Sequence, residues 1–173
     1  MIRASAMLIL LTGTFVVSAQ DEPQPPFEHQ EGRFRVVFPS APKQRIVPIV
    51  TKHGKLNVHL FTVQKSGSEY VISYSDLPAG NLKKVDVEDV LDFAQDGAKR
   101  EMKAEVSGAH PIGDDKLPGR EFVLDMPDKV RAKVRLYVVG NRLYQVMVIG
   151  TPEFIAGATT KAFLDSLQVQ VNP

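Results

Sequence analysis

Residues 129–149 read KVRAKVRLYVVGNRLYQVMVI, and this stretch decides the fold. Two runs with alternating apolar residues flank Gly140-Asn141, a dipeptide typical of a two-residue β-hairpin turn. Such a short turn fixes the strand register, so we expect Tyr137 opposite Tyr144 and Arg135 opposite Val146. The stretch therefore predicts an antiparallel hairpin.

The two faces of this hairpin differ in chemistry. Ala132, Val134, Leu136 and Val138 share one face, which we predict to be core. The other face joins three bases to tyrosine and valine, and its bases could receive a carboxylate, a phosphate or an acidic partner. The alternative is that these long side chains extend over apolar surface beside ordinary surface acids. The candidate partner or anion-binding residues are Arg131, Lys133, Arg135, Tyr137 and Tyr144.

Four strand-like runs precede this hairpin in the chain. Apolar residues alternate with polar ones in residues 33–38, 55–64 and 69–76, and less regularly in 43–51. Pro48 cannot donate a ladder hydrogen bond, so we place its strand at a sheet edge. The four runs together predict an antiparallel meander.

The hydrophobic period changes after the fourth run. An apolar stripe at helical spacing predicts an amphipathic helix, with Asp86 as its N-cap. Weaker strands follow at 105–112 and 119–126, and Thr151-Pro152 begins a last helix before a short strand at 167–171. The pattern predicts an α+β fold, in which an antiparallel sheet of about six to eight strands carries helices on its faces. The helical stripe consists of Val87, Val90, Leu91, Ala94, Ala98 and Met102.

The start of the chain is typical of an exported protein. An apolar run at 4–17 and small residues before Ala19 predict a signal peptide over 1–19. This run is shorter than the roughly 20 apolar residues that a spanning helix needs, so we expect no stable membrane span after cleavage. Residues 20–32 are rich in proline and charge, which favours a flexible linker. A single domain is expected over 33–171, located in the periplasm or secreted.

Composition excludes several kinds of chemistry. The 173 residues contain no Cys, which removes disulfides and every thiolate site. Loss of residues 1–19 removes Arg3 and no acid, so Lys+Arg falls from 21 to 20 against 20 Asp+Glu. A neutral chain lacks the positive field of a nucleic-acid-binding protein. We expect no metal, because the spacing of the histidines fits no metal site. They are His29, His53, His59 and His110.

No sequence motif of an enzyme or a cofactor site is present. The chain lacks the nucleophile elbow, the phosphate-binding loop, the dinucleotide fingerprint and the zinc-protease helix motif. We therefore expect a non-enzymatic protein without a cofactor.

The order of these segments resembles the PsbP-like fold, which is shared by the extrinsic PsbP proteins of photosystem II and by exported bacterial proteins. This resemblance implies an antiparallel sheet with helices on its faces, as in an α/β/α sandwich, and a role in supporting a partner rather than in catalysis. No functional residue carries over. The segments that carry it are FRVVFP at 34–39, YVISY at 70–74, the helix from Val87, RLYVVGNRLY at 135–144 and FLDSL at 163–167.

Two functional hypotheses follow. The first is an exported domain that binds a protein partner in the envelope or outside the cell. The second is a small-ligand carrier or sensor, with a pocket between helix and sheet lined by Tyr70, Tyr74, Phe93 and Met102. The oligomeric state and the identity of partner or ligand stay open.

Overall fold

The computed structural model describes residues 24–51, 54–77 and 86–171. The predicted signal peptide, with its cleavage after Ala19, lies outside the described residues. Within these ranges ten strands and three α-helices follow one another: β1 (Phe27–His29), β2 (Phe34–Val36), β3 (Lys43–Thr51), β4 (Gly54–Lys65), β5 (Ser68–Asp76), α1 (Val87–Met102), β6 (Glu105–Asp114), β7 (Leu117–Asp125), β8 (Arg131–Val139), β9 (Arg142–Gly150), α2 (Pro152–Ala156), α3 (Ala158–Asp165) and β10 (Gln168–Val169).

Seven strands form one antiparallel sheet in the order β3-β4-β5-β9-β8-β7-β6. The hairpin β8–β9 has the predicted register, because Tyr137 pairs with Tyr144 and Arg135 with Val146. Strand β3, which contains Pro48, lies at one edge as predicted. The α+β class with an antiparallel sheet is thus confirmed.

The predicted four-stranded meander is wrong at its first strand. Strand β2 pairs with β1 and β10 in a separate three-stranded sheet, so the meander consists of β3, β4 and β5. Phe34 and Val36 of β2 are buried against the face of the large sheet. The alternating apolar residues of β2 face the large sheet because β2 lies across its surface, and not because β2 pairs with β3.

Ordered structure begins within the predicted linker. Phe27–His29 form β1, in which Phe27 pairs with Val36 and His29 with Phe34. The Phe27 ring centroid lies 5.6 Å from that of Phe61 in β4. Aromatic burial therefore orders a segment whose prolines and charges favoured a flexible linker.

Each face of the large sheet has its own core. The small sheet, α2 and α3 cover one face, and we call the buried side chains between them and the large sheet the first core. Helix α1 covers the other face, and we call the buried side chains beneath it the second core. The Asp86 carboxylate accepts the backbone N–H of Glu88 at 3.2 Å, so the predicted cap of α1 is confirmed. The predicted last helix is divided at Gly157 into α2 and α3.

Candidate functional site

Strand β8 places the three predicted bases on one face, and each base meets a carboxylate. We call this set of charged side chains the ion-pair face. Strand β7 pairs with β8 so that Glu121 lies opposite Arg135 and Asp125 opposite Arg131. Helix α3 contributes Asp165 from above the sheet. The ion-pair face consists of Arg131, Lys133, Arg135, Glu121, Asp125 and Asp165.

Glu121 is the centre of the ion-pair face. Its Oε2 accepts Arg135 Nε at 2.6 Å, and its Oε1 lies 2.9 Å from Lys133 Nζ. The Glu121 side chain is only 11% exposed. Burial by itself would raise the pKa of this carboxyl, but hydrogen bonds from Lys133 and Arg135 outweigh burial and hold the pKa below its ordinary value. Glu121 is therefore ionised at neutral pH.

The remaining bases are paired as well. Arg135 Nη1 donates to Asp165 Oδ1 at 2.8 Å, which ties α3 to the sheet. Arg131 Nε lies 2.6 Å from Asp125 Oδ1, and the other oxygen of Asp125 accepts Ser107 Oγ at 2.6 Å. A free phosphate or carboxylate would have to displace one of these carboxylates. The geometry therefore fits a polar protein surface better than a small-anion site.

Two of the bases extend to the surface of this network. The side chains of Arg131 and Lys133 are 47% and 30% exposed, whereas that of Arg135 is only 16% exposed. Tyr137 is half-buried beside them and covers Gly119. The accessible bases of the ion-pair face are thus Arg131 and Lys133, which lie beside the partly exposed acids Asp125 and Asp165 and the half-buried ring of Tyr137.

Tyr144 does not belong to this surface. It is 2% exposed, and its hydroxyl donates to the backbone carbonyl of Gly32 at 2.8 Å. The β1–β2 connection therefore lies over this end of the large sheet. Strand parity correctly placed Tyr144 and Arg135 on the same face, but only Arg135 belongs to the ion-pair face.

Next to Tyr144 lies a second polar group of residues. Arg142 donates to both oxygens of Asp76, at 2.6 and 2.8 Å, and its guanidinium carbon lies 4.6 Å from the centroid of Tyr74. His59 stacks on the same ring at 4.4 Å. The Tyr74 hydroxyl is buried without a hydrogen-bond partner among the described residues. Burial raises its pKa to about 12.

The four residues of the predicted ligand pocket do not meet. Tyr70 and Tyr74 belong to the first core, whereas Met102 packs at the second core on the opposite face. Phe93 is 43% exposed on α1. The prediction failed because helical and strand periods show which residues share a face but not which faces oppose one another.

A different cavity lies between helix and sheet. Its volume is about 440 Å³, and it opens where the first turn of α1 meets the start of β7 and the end of β8. It is half open to solvent, and its walls are partly apolar and include one acid and one base. The lining residues are Val87, Val90, Asp115, Lys116, Pro118, Val138 and Gly140.

Among residues 24–51, 54–77 and 86–171, no three His, Asp or Glu side chains are grouped as metal ligands would be. Within the same ranges, no helix combines the length and the hydrophobicity that crossing a membrane requires.

Glu121 and Asp165 are the members of the ion-pair face whose contact with the bases was not predicted, although Glu121, with Glu69 and Glu101, was considered as a possible catalytic carboxylate. The signal for Glu121 was present, because a β7–β8 register would have placed it opposite Arg135. Asp165 left no such signal, since it reaches Arg135 only through the packing of α3.

A seven-stranded antiparallel sheet with α1 on one face and a small sheet with two helices on the other defines the class: the protein has the PsbP-like fold. A solved structure with this fold is that of cyanobacterial PsbP (CyanoP) from Synechocystis sp. PCC 6803. It matches with a TM-score of 0.60 over 92% of this chain and 99% of that chain, at 11% sequence identity. At this identity the similarity shows the fold alone. No protein-family model and no curated protein matches the chain.

Proposed function

We propose that this protein is an exported, non-enzymatic domain that binds a protein partner in the periplasm or outside the cell. The observation that carries the proposal is the accessible part of the ion-pair face, where Arg131 and Lys133 are partly exposed beside Tyr137. Arginine and tyrosine are frequent anchors of protein interfaces. Here they are held in place before any partner arrives, which lowers the entropy cost of binding.

The state of Glu121 supports a binding role over a catalytic one. A general acid or base works best when its pKa lies near the operating pH. Burial alone would raise the pKa of Glu121, but hydrogen bonds from Lys133 and Arg135 lower it, away from neutral pH. Both of its oxygens are engaged by these two bases. This carboxylate serves to order the surface.

The proposal is tested by cross-linking the chromosomally tagged protein in cells, followed by purification. The double variant Arg131→Gln, Lys133→Gln removes the two accessible positive charges and leaves the Arg135–Glu121 pair intact. We expect it to lose a specific partner that the natural protein retains. The matched control is Lys103→Gln, an exposed base at the C-terminal end of α1.

Three results would count against the proposal: no partner for the natural protein, a partner that the double variant retains, or equal loss in the Lys103→Gln control. Circular dichroism spectra and thermal midpoints are measured for all variants. Near-identical values would show that a loss of partner binding comes from the changed surface and not from unfolding.

The cavity of about 440 Å³ supports a second candidate, a small-ligand carrier. Its size falls in the range of small-molecule sites, and its partly apolar walls with Asp115 and Lys116 fit a ligand with an apolar body and a polar end. Val90→Phe would fill the cavity from α1. A compound that raises the thermal midpoint of the natural protein but not of Val90→Phe would support this candidate, and equal shifts in both would contradict it.

A further inference from the structure

The hairpin β3–β4 extends beyond the rest of the large sheet. Strands β3 and β4 pair from Lys43 to Thr51, whereas β5 pairs with β4 only as far as His59. Residues 47–51 and 54–58 therefore form a two-stranded projection. We call this projection, together with residues 43–46 of β3 at its base, the arm. Five residue pairs at the usual strand rise give the projection a length of about 15 Å.

Large aliphatic side chains on β3 are exposed to solvent. Val50 is 80% exposed, Ile46 55% and Ile49 40%. On β4 of the same arm Leu56 is buried, so the exposure is concentrated on the outer strand. A cluster of exposed aliphatic side chains at a projecting edge indicates an interaction surface.

The charge around these aliphatic side chains has a single sign. The sequence has no Asp or Glu between Gly32 and Ser68. Lys43, Arg45 and Lys55 are exposed and form no ion pair with another described residue. This is the opposite of the ion-pair face, where every base is paired. The unpaired positive charge of β3 and β4 favours binding of an anionic partner.

The backbone of β3 is poorly suited to strand addition. Pro48 lacks the N–H that an added strand would need, and Lys43 and Arg45 stand on the same edge strand. Aliphatic tips among unpaired bases are instead typical of surfaces that lie at a bilayer interface.

We propose that the arm docks onto an anionic lipid bilayer surface. Val50 and Ile49, near the tip, would enter the boundary between headgroups and acyl chains, while Lys55, Arg45 and Lys43 along the two strands meet the lipid phosphates. The open backbone edge of β3 keeps the arm at this polar boundary and out of the hydrocarbon layer, where unpaired peptide groups are costly. This surface is separate from the ion-pair face, so the two proposals stand or fall independently.

The test is flotation of the purified exported protein with vesicles. One set contains neutral phosphatidylcholine alone, and the other contains phosphatidylcholine and anionic phosphatidylglycerol in equal parts. We expect binding to the anionic vesicles only, and a decrease when salt is raised from about 0.05 to about 0.5 M, because screening shortens the reach of the charges.

Two variants separate the contributions of charge and apolar contact. Arg45→Glu with Lys55→Glu is expected to lower the vesicle partition coefficient by about tenfold or more. Ile49→Ser with Val50→Ser should lower it while leaving the salt dependence in place. The matched controls, Lys103→Glu and Phe93→Ser, change an exposed base and an exposed apolar residue of α1. They are expected to bind as the natural protein does.

Equal binding to both vesicle types, no binding to either, or unchanged binding of both arm variants would overturn the proposal. A photo-cross-linker at Val50 that captures a protein in cells, while vesicles fail to bind, would assign the arm to a protein partner instead. Circular dichroism of each variant shows whether the fold is intact.

Discussion

Tyr74 and Tyr144 are neighbours in the first core, with ring centroids 6.4 Å apart, yet their hydroxyl groups have different surroundings. Tyr144 donates to the carbonyl of Gly32, whereas the Tyr74 hydroxyl has no partner among the described residues. A buried polar group without a partner costs free energy, and a paired one does not. The two rings therefore make unequal contributions to stability.

We predict that Tyr144→Phe lowers the free energy of unfolding by about 1 to 2 kcal/mol, because it leaves the Gly32 carbonyl unpaired. Tyr74→Phe removes only an unpartnered hydroxyl and should leave stability unchanged or slightly higher. Chemical denaturation of both variants checks this. A loss in Tyr74→Phe as large as in Tyr144→Phe would contradict the assignment of the hydroxyl partners.

A second prediction concerns Glu121 and acid. Because its pKa in the folded protein lies below the ordinary value of 4.5, Glu121 stabilises the fold above that pH, and this stability is lost as pH falls through the folded pKa. Glu121→Gln should lower the free energy of unfolding at pH 7 by about 1 to 3 kcal/mol. Its stability should then fall less steeply than that of the natural protein on acidification from about pH 5 to 3.

Urea denaturation across this pH range measures both effects. Glu101→Gln is the control, because Glu101 is exposed on α1 and forms no ion pair with a described residue. A pH dependence of Glu121→Gln identical to that of the natural protein would show that Lys133 and Arg135 do not hold this carboxylate ionised.

At the scale of elements, the sequence predicted the helices and strands that are specified by interactions between residues close in the chain. The bounds of α1, its Asp86 cap and the register of β8–β9 follow from side-chain period, capping and turn length, which involve residues close in the chain. The partners of β2 did not follow from such patterns. Its alternating apolar residues would fit any strand that is buried on one face. Only packing between segments far apart in the chain determines that β2 pairs with β1 and β10.

Gly119 of β7 illustrates an element contact that sequence reasoning did not find. A Cβ at this position would lie 2.7 Å from Tyr137 Cδ1 and would also collide with the carbonyl of Leu136. The absence of a side chain lets Tyr137 lie flat over β7. The sequence pattern predicts only that Gly119 begins a strand.

We therefore predict that Gly119→Ala destabilises the protein by about 2 kcal/mol or more, since strand β8 and the Tyr137 ring must shift. Gly97→Ala in α1 is the matched control, because a Cβ there meets nothing within 4 Å. It should stabilise the helix by roughly 0.5 to 1 kcal/mol. Thermal midpoints measured side by side would refute the packing argument if both variants shifted in the same direction.

On the scale of the whole molecule, the two ends of the described chain close the first core. Strand β2 lies between β1 and β10, and the Gln170 N–H donates to the Arg33 carbonyl at 2.9 Å. The N-terminal strand adds Phe27 to the aromatic cluster of Phe34, Phe38 and Phe61. The first core therefore depends on segments far apart in the chain.

We predict that deleting residues 24–31 lowers the free energy of unfolding by about 3 kcal/mol, the lower end of the cost of losing a core aromatic side chain, because Phe27 is half-buried. Phe27→Ala in the full chain should account for most of this loss. Denaturation of both variants measures the effect. A deletion variant as stable as the natural protein would restore the linker interpretation and place the start of the domain at Arg33.

Taken by itself, the sequence determined the secondary-structure elements of the large sheet, the helix α1, the α+β class and the face on which Arg131, Lys133 and Arg135 lie. These features depend on side-chain period, turn chemistry and caps, all of which act between near neighbours. Tertiary structure alone decided what covers each face. Because β1, α3 and the β1–β2 connection pack across the sheet from distant parts of the chain, only the folded molecule buries Tyr144, pairs Arg135 with Asp165 and leaves Ile49 and Val50 of the arm exposed.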